Sequence, residues 1–209
     1  MSTPQSRTQQ EALWAGEFGA EYMQRNRGAS LIASNTELFR KVLARTEGVS
    51  SVLELGCNIG NNLRALRDLL PDADLHGVEI NEQAAEEVRR WGGASVEVGS
   101  ILDLSSDRTY DLTFTKGVLI HINPDRVADA YASLVAASRR YVMVCEYYNP
   151  TPVEVTYRGH EHALFKRDFA GEILDAYPQL RLVDYGFTYH RDPEFPLDDS
   201  TWFLMEKQG

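Results

Sequence analysis

The segment SVLELGCNIGNN at residues 51–62 joins an apolar run to a glycine-containing loop. The run at residues 52–55 predicts a buried strand, and Gly56 and Gly60 allow a sharp turn from this strand into a helix. Asn58 stands where many such loops have another glycine, and asparagine is one of the few residues that tolerate a left-handed backbone. The pattern is typical of a loop that holds a nucleotide-like cofactor, although two glycines alone can also mark an ordinary tight turn.

A carboxylate follows the next predicted strand. Glu79 ends the segment LHGVE and lies about 20 positions after the glycine loop, the spacing at which an acidic residue can accept hydrogen bonds from ribose hydroxyls. Proteins that bind NAD share this feature, so Glu79 predicts an adenosine cofactor without identifying it.

Two features of the loop distinguish between adenosine cofactors. The glycines lack the G-x-G-x-x-G spacing that suits a pyrophosphate, and Glu54 lies two positions before Gly56. A fixed negative charge there repels a pyrophosphate and attracts the cationic methionine end of S-adenosylmethionine. We therefore predict S-adenosylmethionine as the cofactor, with S-adenosylhomocysteine as its product, and regard an NAD-dependent oxidoreductase as the weaker alternative.

Further polar side chains are candidates for acid–base chemistry or substrate binding. We expect candidate general bases at His121, Glu146 and His160, which follow predicted strands at the edge where ligands bind. Alternatively, His121 could simply start the HINPD turn, Glu146 could be a surface carboxylate, and His160 could be part of a surface loop. No metal site is expected, because His160 and His162 have no third ligand at a recognisable spacing. The residues expected to contact the substrate are Tyr147, Tyr148, Asn149, Tyr157 and Arg158.

Alternating strands and helices would position these side chains. Between residues 51 and 180 the alternation predicts an α/β fold with a Rossmann-like, doubly wound sheet of seven mostly parallel strands. The segment HRDPEFPLDDS at 190–200 is too polar and proline-rich for a crossover helix, so we expect the last strand to be antiparallel, beside its predecessor. The predicted strands are 52–55, 75–78, 95–98, 110–115, 141–146, 180–189 and 201–206, and the predicted helices between them are 62–70, 82–91, 125–137 and 168–176.

The residues before this alternation are predicted to be helical. Trp14, Phe18 and Tyr22 recur at helical spacing. This stripe is expected either to pack into the core or to form a lid over the cofactor, with Tyr22 or Arg27 reaching the methionine carboxylate. Residues 1–50 would then form an N-terminal helical cap and residues 51–209 the cofactor-binding domain.

The composition excludes several classes of partner. The 209 residues carry a formal net charge of −10, which disfavours nucleic acid and anionic lipid as partners. No apolar run approaches the roughly 20 residues that span a bilayer, and the polar N-terminus does not resemble a signal peptide. Cys57 and Cys145 do not suggest a disulfide framework. We expect a cytoplasmic protein that acts on a small molecule, and the oligomeric state cannot be deduced from the sequence.

Four segments together resemble a known family of enzymes. They are VLELGCNIGNN, GVEIN, VEVGSILDL and YDLTFTKGVLIHINPD, and their series is similar to the motifs of class I S-adenosylmethionine-dependent methyltransferases over residues 45–209. The segments LWAGEFGAEYMQRN, CEYYNPTPVEVTYRGHEHALFKRDFAGEILD and VDYGFTYHRDPEFPLDDSTWFLMEK more closely resemble methylases associated with pseudaminic acid biosynthesis. The resemblance implies the Rossmann-like fold and the antiparallel last strand.

The resemblance also implies roles for individual residues. Ser100 stands where many methyltransferases have an aspartate that contacts the adenine amino group, so only a weaker hydrogen bond is expected there. Glu79 would hold the ribose, and Ile80 would pack against the adenine. The residues implied to wrap the methionine part are Glu54, Gly56, Cys57, Asn58 and Gly60; those implied to line the other side of the adenine are Ser100, Ile101 and Leu102; and those implied to lie under the sulfonium are Lys116, Gly117 and Val118.

The implied reaction is methyl transfer to oxygen or nitrogen of a small polar metabolite, such as a nonulosonic acid or an amino-sugar derivative. The Asn/Asp-Pro-Pro-Tyr signature of methylases that act on nucleic-acid amino groups is missing where TKGVLIH stands. Two alternatives remain open at this point: another reaction of S-adenosylmethionine, such as cyclisation of its aminobutyl chain, and a non-catalytic module that only binds the cofactor.

Overall fold

Three helices precede the first strand in the part of the chain that the structure describes. This computed structural model describes residues 8–25, 28–104, 108–157 and 159–208. The helices are α1 (Gln9–Ala15), α2 (Glu17–Arg25) and α3 (Ala29–Leu43). α1 begins with a capping box, in which Thr8 and Glu11 each accept a hydrogen bond from the other's backbone N–H. α3 is amphipathic and buries Leu38, Phe39 and Val42.

A seven-stranded sheet forms the centre of the molecule. Its strands are β1 (Ser51–Leu55), β2 (Asp74–Glu79), β3 (Ser95–Val98), β4 (Tyr110–Lys116), β5 (Ser138–Glu146), β8 (Leu180–Phe187) and β9 (Thr201–Lys207). Their order is β3-β2-β1-β4-β5-β9-β8, and β9 is antiparallel to both of its neighbours. The predicted fold is confirmed, including the antiparallel last strand, which lies between β5 and β8 rather than at the edge of the sheet. The strand order reverses between β1 and β4, where ligands bind in open α/β sheets.

Helices cover both faces of this sheet. They are α4 (Asn61–Leu69), α5 (Glu82–Trp91), α6 (Val127–Ala136) and α7 (Phe169–Ala176). Alternate residues of each strand point to opposite faces. On β1, Val52 belongs to the hydrophobic cluster under α3 and α4, whereas Leu53 and Leu55 belong to the cluster under α6 and α7. The intervening Glu54 therefore faces the side of α3 and α4.

A separate β-hairpin corrects one sequence-based expectation. The segment around residues 156–162 was expected to be a loop, but it joins β6 (Val153–Tyr157) to β7 (His160–Lys166) in a two-stranded antiparallel sheet. β6 reads VEVTY, whose alternation is a short strand signal that the expectation of a loop overlooked, and the apolar part of β7 at residues 163–165 supplies the buried contacts. β7 packs against the 3₁₀ turn at Leu119–His121, which follows β4.

Element boundaries differ slightly from the sequence-based ones. The helix expected from residue 125 begins as a 3₁₀ turn at Pro124–Arg126, because the Asn123 side chain accepts from the Asp125 N–H before α6 starts. Asp168 caps α7, accepting from the Gly171 N–H, at the start of the predicted helix 168–176. Of the helices in the described ranges, none is both long and apolar enough to cross a membrane.

Candidate functional site

A cavity of about 530 Å³ opens at the carboxyl ends of β1, β2 and β4. Its walls come from the loops after these strands, from the N-terminal helices and from the segment between β8 and β9. The sequence-predicted residues that line it are Tyr22, Gly56, Cys57, Asn58, Glu79, Ile80, Ser100, Ile101, Leu102, Lys116, Gly117, Val118 and His121. Residues from four separate motifs thus meet where the strand order reverses, which is where the sequence predicts that the cofactor binds.

The loop after β1 adopts the backbone conformation that its glycines and Asn58 predict. Gly56 has φ +81°, Gly60 has φ +78°, and Asn58 has φ +48°. A Cβ atom on Gly56 would lie 2.6 Å from a methyl carbon of Val118, so only glycine lets the loops after β1 and β4 approach this closely. The Asn58 side chain accepts from the Ile59 N–H at 2.7 Å, which holds the left-handed turn. Gly60 caps α4 but does not line the cavity.

Glu79 links the loop after β1 to the end of β2. One carboxylate oxygen accepts from the Asn58 N–H at 2.7 Å and the other from the Asn81 N–H at 2.8 Å. Burial raises the pKa of Glu79, and these backbone hydrogen bonds act against that rise. Each carboxylate oxygen has about two acceptor sites, so Glu79 can still accept from a hydroxyl in the cavity.

Glu54 is buried beneath the same loop. One of its oxygens accepts from the Asn62 side-chain amide at 2.6 Å, and the other has no partner among the described residues. Burial raises the pKa of Glu54 to about 8, although the Asn62 hydrogen bond and the charge of Lys116 lower it. Asn62 and Lys116 line the cavity, whereas Glu54 itself does not.

Ser100 has a partner that the sequence did not reveal. Its hydroxyl donates to the Glu11 carboxylate at 2.5 Å, and it accepts from the Leu102 N–H. Burial acts to raise the pKa of Glu11, but hydrogen bonds from Ser100 and Thr8 outweigh it and keep the pKa below the ordinary value. Glu11 lines the cavity, so a carboxylate from α1 stands beside the position where the family aspartate is missing.

His121 lies in an aromatic cluster at the cavity wall. Its ring centroid is 4.6 Å from that of Trp14 and 5.0 Å from that of Tyr157. Nδ1 lies 2.6 Å from the Ala163 carbonyl oxygen, and because a carbonyl only accepts, Nδ1 carries the proton and Nε2 is the basic nitrogen. Burial lowers the pKa of His121 to about 4, so the ring is neutral near pH 7.

Glu146 holds the backbone after β4, although the sequence made it a candidate general base. One oxygen accepts from the Val118 and Leu119 N–H groups at 3.1 and 3.2 Å, and the other from Ile120 at 3.4 Å. Burial raises the pKa of Glu146 to about 7. This carboxylate does not line the cavity and fixes the turn that carries Val118 and His121.

The predicted substrate-contacting residues lie outside the cavity lining where the structure describes them. The Tyr147 hydroxyl donates to Asp198, which does line the cavity, and the Asn149 amide donates to the Thr151 carbonyl. Tyr148 is exposed. Tyr157, Tyr148, Tyr147 and Asn149 are not in the lining. Arg27 and Arg158 lie outside the described residues, and for His160 only the backbone in β7 is described.

The segment between β8 and β9 contributes a histidine that the sequence-based reasoning missed. His190 lines the cavity, and its Nδ1 lies 2.8 and 2.9 Å from the two carboxylate oxygens of Asp199. The His190 backbone N–H also donates to Asp199. The carboxylate fixes the proton on Nδ1 and leaves Nε2 as an acceptor. The available signal was a histidine followed by paired aspartates directly after the predicted strand 180–189.

The central part of the chain matches a known protein family. Residues 52–140 match the family model described as a methyltransferase domain. This match covers the loops after β1, β2, β3 and β4 that supply most of the cavity wall. No curated protein matches the chain.

Solved structures share the fold at low sequence identity. The chain is similar to magnesium protoporphyrin IX methyltransferase from Synechocystis PCC 6803 with bound SAH, with a TM-score of 0.69 and 14% identity over 95% of this chain and 98% of that one. It is similar to the plantazolicin methyltransferase BpumL in complex with SAH, with a TM-score of 0.68 and 14% identity over 96% and 94% of the two chains. An amino pentose methyltransferase from Micromonospora echinaspora with bound SAM gives a TM-score of 0.65 and 12% identity over 91% and 96%.

These findings support part of the sequence-based interpretation. The family match confirms the predicted enzyme class, a methyltransferase. The ligands named in the three structures are S-adenosylmethionine or its product, which is the predicted cofactor pair. The closer resemblance to methylases of pseudaminic acid biosynthesis stays a prediction.

Proposed function

We propose that this chain, whose residues 52–140 match the family model of a methyltransferase domain, transfers the methyl group of S-adenosylmethionine to a hydroxyl or amino group of a small polar metabolite. The observation that carries the proposal is the cavity in which the loops after β1, β2 and β4 converge with Ser100 and Glu11. An open α/β sheet binds its ligand at this place.

The residues present fit this cofactor from one end to the other. The turn at Gly56 would admit the methionine part, Glu79 has free acceptor sites for the ribose, and the apolar side chains of Ile80, Ile101 and Leu102 suit an adenine ring. The buried oxygen of Glu54 that lacks a partner favours a cationic group nearby. When bound, S-adenosylmethionine supplies an activated methyl carbon, and the protein's part is to hold the acceptor in line with it.

His190 is the candidate general base that the geometry favours. Asp199 holds its Nδ1, so Nε2 is free to take a proton from a hydroxyl or ammonium group at the cavity. His121 is a weaker base near neutral pH because burial lowers its pKa to about 4. Glu146 uses both oxygens to hold the backbone after β4. His160 remains a candidate from the sequence.

We propose that the acceptor is an amino-sugar derivative, with nonulosonic acids and their precursors as the first class to test. The polar groups at the rim of the cavity, His190 and Asp198, suit a ligand that is rich in hydroxyl and amino groups. One of the structurally similar proteins is an amino pentose methyltransferase, which favours the same class. The sequence resemblance to the pseudaminic acid methylases agrees with it.

A methyl-transfer assay tests this proposal. The protein is incubated with S-adenosylmethionine and a panel of nonulosonic acids and amino sugars, and both S-adenosylhomocysteine and the methylated product are measured by mass spectrometry. We expect one acceptor class to gain a methyl group, with His190→Ala slowing turnover by about 100-fold or more. The matched control is Glu194→Gln in the same segment, which does not line the cavity.

Two other outcomes would contradict the proposal. Release of methylthioadenosine without any acceptor would indicate cyclisation of the aminobutyl chain. Tight binding of S-adenosylmethionine with no turnover on any acceptor would indicate a module that only binds the cofactor.

A further inference from the structure

Three buried side-chain oxygens without hydrogen-bond partners among the described residues come from α3, β1 and α4, next to the loop after β1. Within the described residues, Asn35 Oδ1, one Glu54 oxygen and Asn62 Oδ1 are buried and unpartnered. Asn35 and Glu54 are each only 1% exposed. A buried acceptor without a donor is costly, so such groups are rare in folded proteins unless a ligand or water satisfies them.

The fold brings these oxygens to one side of the sheet. Asn35 lies one turn before Phe39 on α3, and the Phe39 ring centroid is 5.1 Å from that of Phe114. Phe114 is the register partner of Glu54, whose side chain faces α3 and α4. Asn62, on α4, donates to Glu54 directly. α3 and α4 pack against each other, and both Asn35 and Asn62 line the cavity.

All three unpartnered atoms are acceptors. The nearby cation is Lys116, which lines the cavity, but no hydrogen bond joins it to Glu54 in the described part of the chain. An ammonium group carries three donors and a positive charge, and it would therefore satisfy acceptors of this kind.

We propose that Asn35 of α3, together with Asn62 of α4, binds the α-ammonium group at the amino-acid end of the cofactor, with the buried Glu54 behind Asn62. The inference rests on the proposed function and extends it to a helix that lies outside the methyltransferase-domain match. Asn35 contributes an amide oxygen from α3 and Asn62 contributes one from α4, while Glu54 holds the Asn62 side chain from beneath the loop.

Three ligands separate the amino-acid end from the rest of the cofactor. S-Adenosylmethionine carries the sulfonium together with the α-ammonium and α-carboxylate, S-adenosylhomocysteine keeps the ammonium and the carboxylate without the sulfonium charge, and 5′-methylthioadenosine lacks the whole amino-acid end. The variant Asn35→Asp then separates the ammonium from the carboxylate, because a negative charge attracts the first and repels the second. The variant Asn35→Leu has nearly the same side-chain size and no acceptor. We expect calorimetry to show about tenfold weaker binding of the first two ligands, equal for both, and unchanged binding of 5′-methylthioadenosine.

Thermal unfolding of the free protein supplies a second readout. Asn35→Leu removes a buried oxygen that has no partner, so the melting temperature should stay the same or rise, while a purely structural asparagine would lower it. Ser34→Ala is the matched control, because Ser34 is buried on the same helix and does not line the cavity. It should leave the affinity for all three ligands unchanged.

The remaining outcomes overturn the inference. If Asn35→Leu bound all three ligands equally more weakly, Asn35 would be structural. If only the affinity for S-adenosylmethionine fell, Asn35 would lie at the sulfonium, and if no affinity fell, Asn35 would not belong to the site. In each case the wild type still binds S-adenosylmethionine, so the proposed function stands. A wild-type protein that binds none of the three ligands would refute both.

A second variant covers the case in which Asn35→Leu does not fold. Asn35→Asp keeps an acceptor and adds a negative charge, so it should bind S-adenosylmethionine and S-adenosylhomocysteine at least as tightly as the wild type. Its affinity for 5′-methylthioadenosine should not increase. Parallel changes for all three ligands would contradict the assignment.

Discussion

Ser100 and Glu11 meet across the cavity wall although they lie far apart in the sequence. The Ser100 hydroxyl donates to the Glu11 carboxylate at 2.5 Å, and both residues line the cavity. A carboxylate from α1 therefore lies beside the position where the family resemblance implies a missing aspartate. We propose that Glu11 accepts from the adenine amino group.

Substituting Glu11 by glutamine tests this role. Glutamine can keep the capping box with Thr8, so folding should be little changed, while the charge that strengthens the hydrogen bond is lost. We expect Glu11→Gln to bind S-adenosylmethionine about tenfold more weakly by calorimetry, with an unchanged melting temperature. The control is Glu17→Gln at the exposed start of α2. Equal affinity of Glu11→Gln and wild type would exclude Glu11 from the adenine site.

The sequence predicted the residues of this site where the signal is local. Gly56, Asn58 and Glu79 were identified because a left-handed loop and a strand end leave a pattern within a few residues. Glu11 and His190 were missed because their roles depend on contacts with distant segments and with a loop whose course the sequence does not define. Glu146 was placed at the correct strand end, but its burial under the β4 turn could not be deduced from its neighbours.

At the level of elements, α1 and α2 form one wall of the cavity. Trp14 packs edge-on against Phe18 and Tyr22 at 5.2 and 5.1 Å, and tilted against His121 at 4.6 Å. Trp14 and Tyr22 also line the cavity. The aromatic stripe thus takes part in packing and borders the site, and we propose that these helices act as the cap over the cofactor.

Hydrogen exchange measured by mass spectrometry tests the cap. Short helices that depend on packing open readily, and a ligand that contacts them makes opening less favourable. We expect saturating S-adenosylmethionine to slow amide exchange in residues 9–25 by about tenfold or more. Exchange in β8, which contributes nothing to the cavity lining, should not change and serves as the internal control. Unchanged exchange in α1 and α2 would contradict the cap.

The element order was more predictable than the hairpin. Strands and helices of the central sheet alternate with clear periods, and the polar segment before β9 indicated the antiparallel strand. β6 alternates apolar and polar residues in VEVTY, but only five residues carry the pattern and most of them are exposed, so the short strand was overlooked. Its pairing with β7 depends on the packing of residues 163–165 against the turn after β4.

For the whole molecule, buried titratable groups set the pH dependence of stability. Burial raises the pKa of Glu54 to about 8 and that of Glu146 to about 7, above the ordinary value of 4.5. These groups hold their protons more tightly when folded, so their stabilisation is complete below about pH 4.5 and is lost as the pH rises through 7 to 8. His121 acts oppositely: its pKa falls from 6.5 to about 4, so its contribution is lost as the pH falls below 6.5.

We therefore expect the free energy of unfolding to decrease between pH 6 and pH 8. The slope due to one such carboxyl is at most about 1.4 kcal/mol per pH unit. Urea unfolding of wild type and Glu54→Gln at pH 6, 7 and 8 measures it, and the variant should lose stability less steeply because glutamine does not ionise. Identical slopes for both proteins would show that Glu54 does not titrate in this range.

Binding of S-adenosylmethionine is the central claim, and calorimetry on wild type and Glu79→Ala tests it most directly. Glu97→Ala on the neighbouring β3 is the control, since Glu97 is exposed and does not line the cavity. The account predicts binding to wild type and Glu97→Ala, strongly weakened binding to Glu79→Ala, and no measurable affinity for NAD. Binding of NAD by the wild type, with no binding of S-adenosylmethionine, would contradict it.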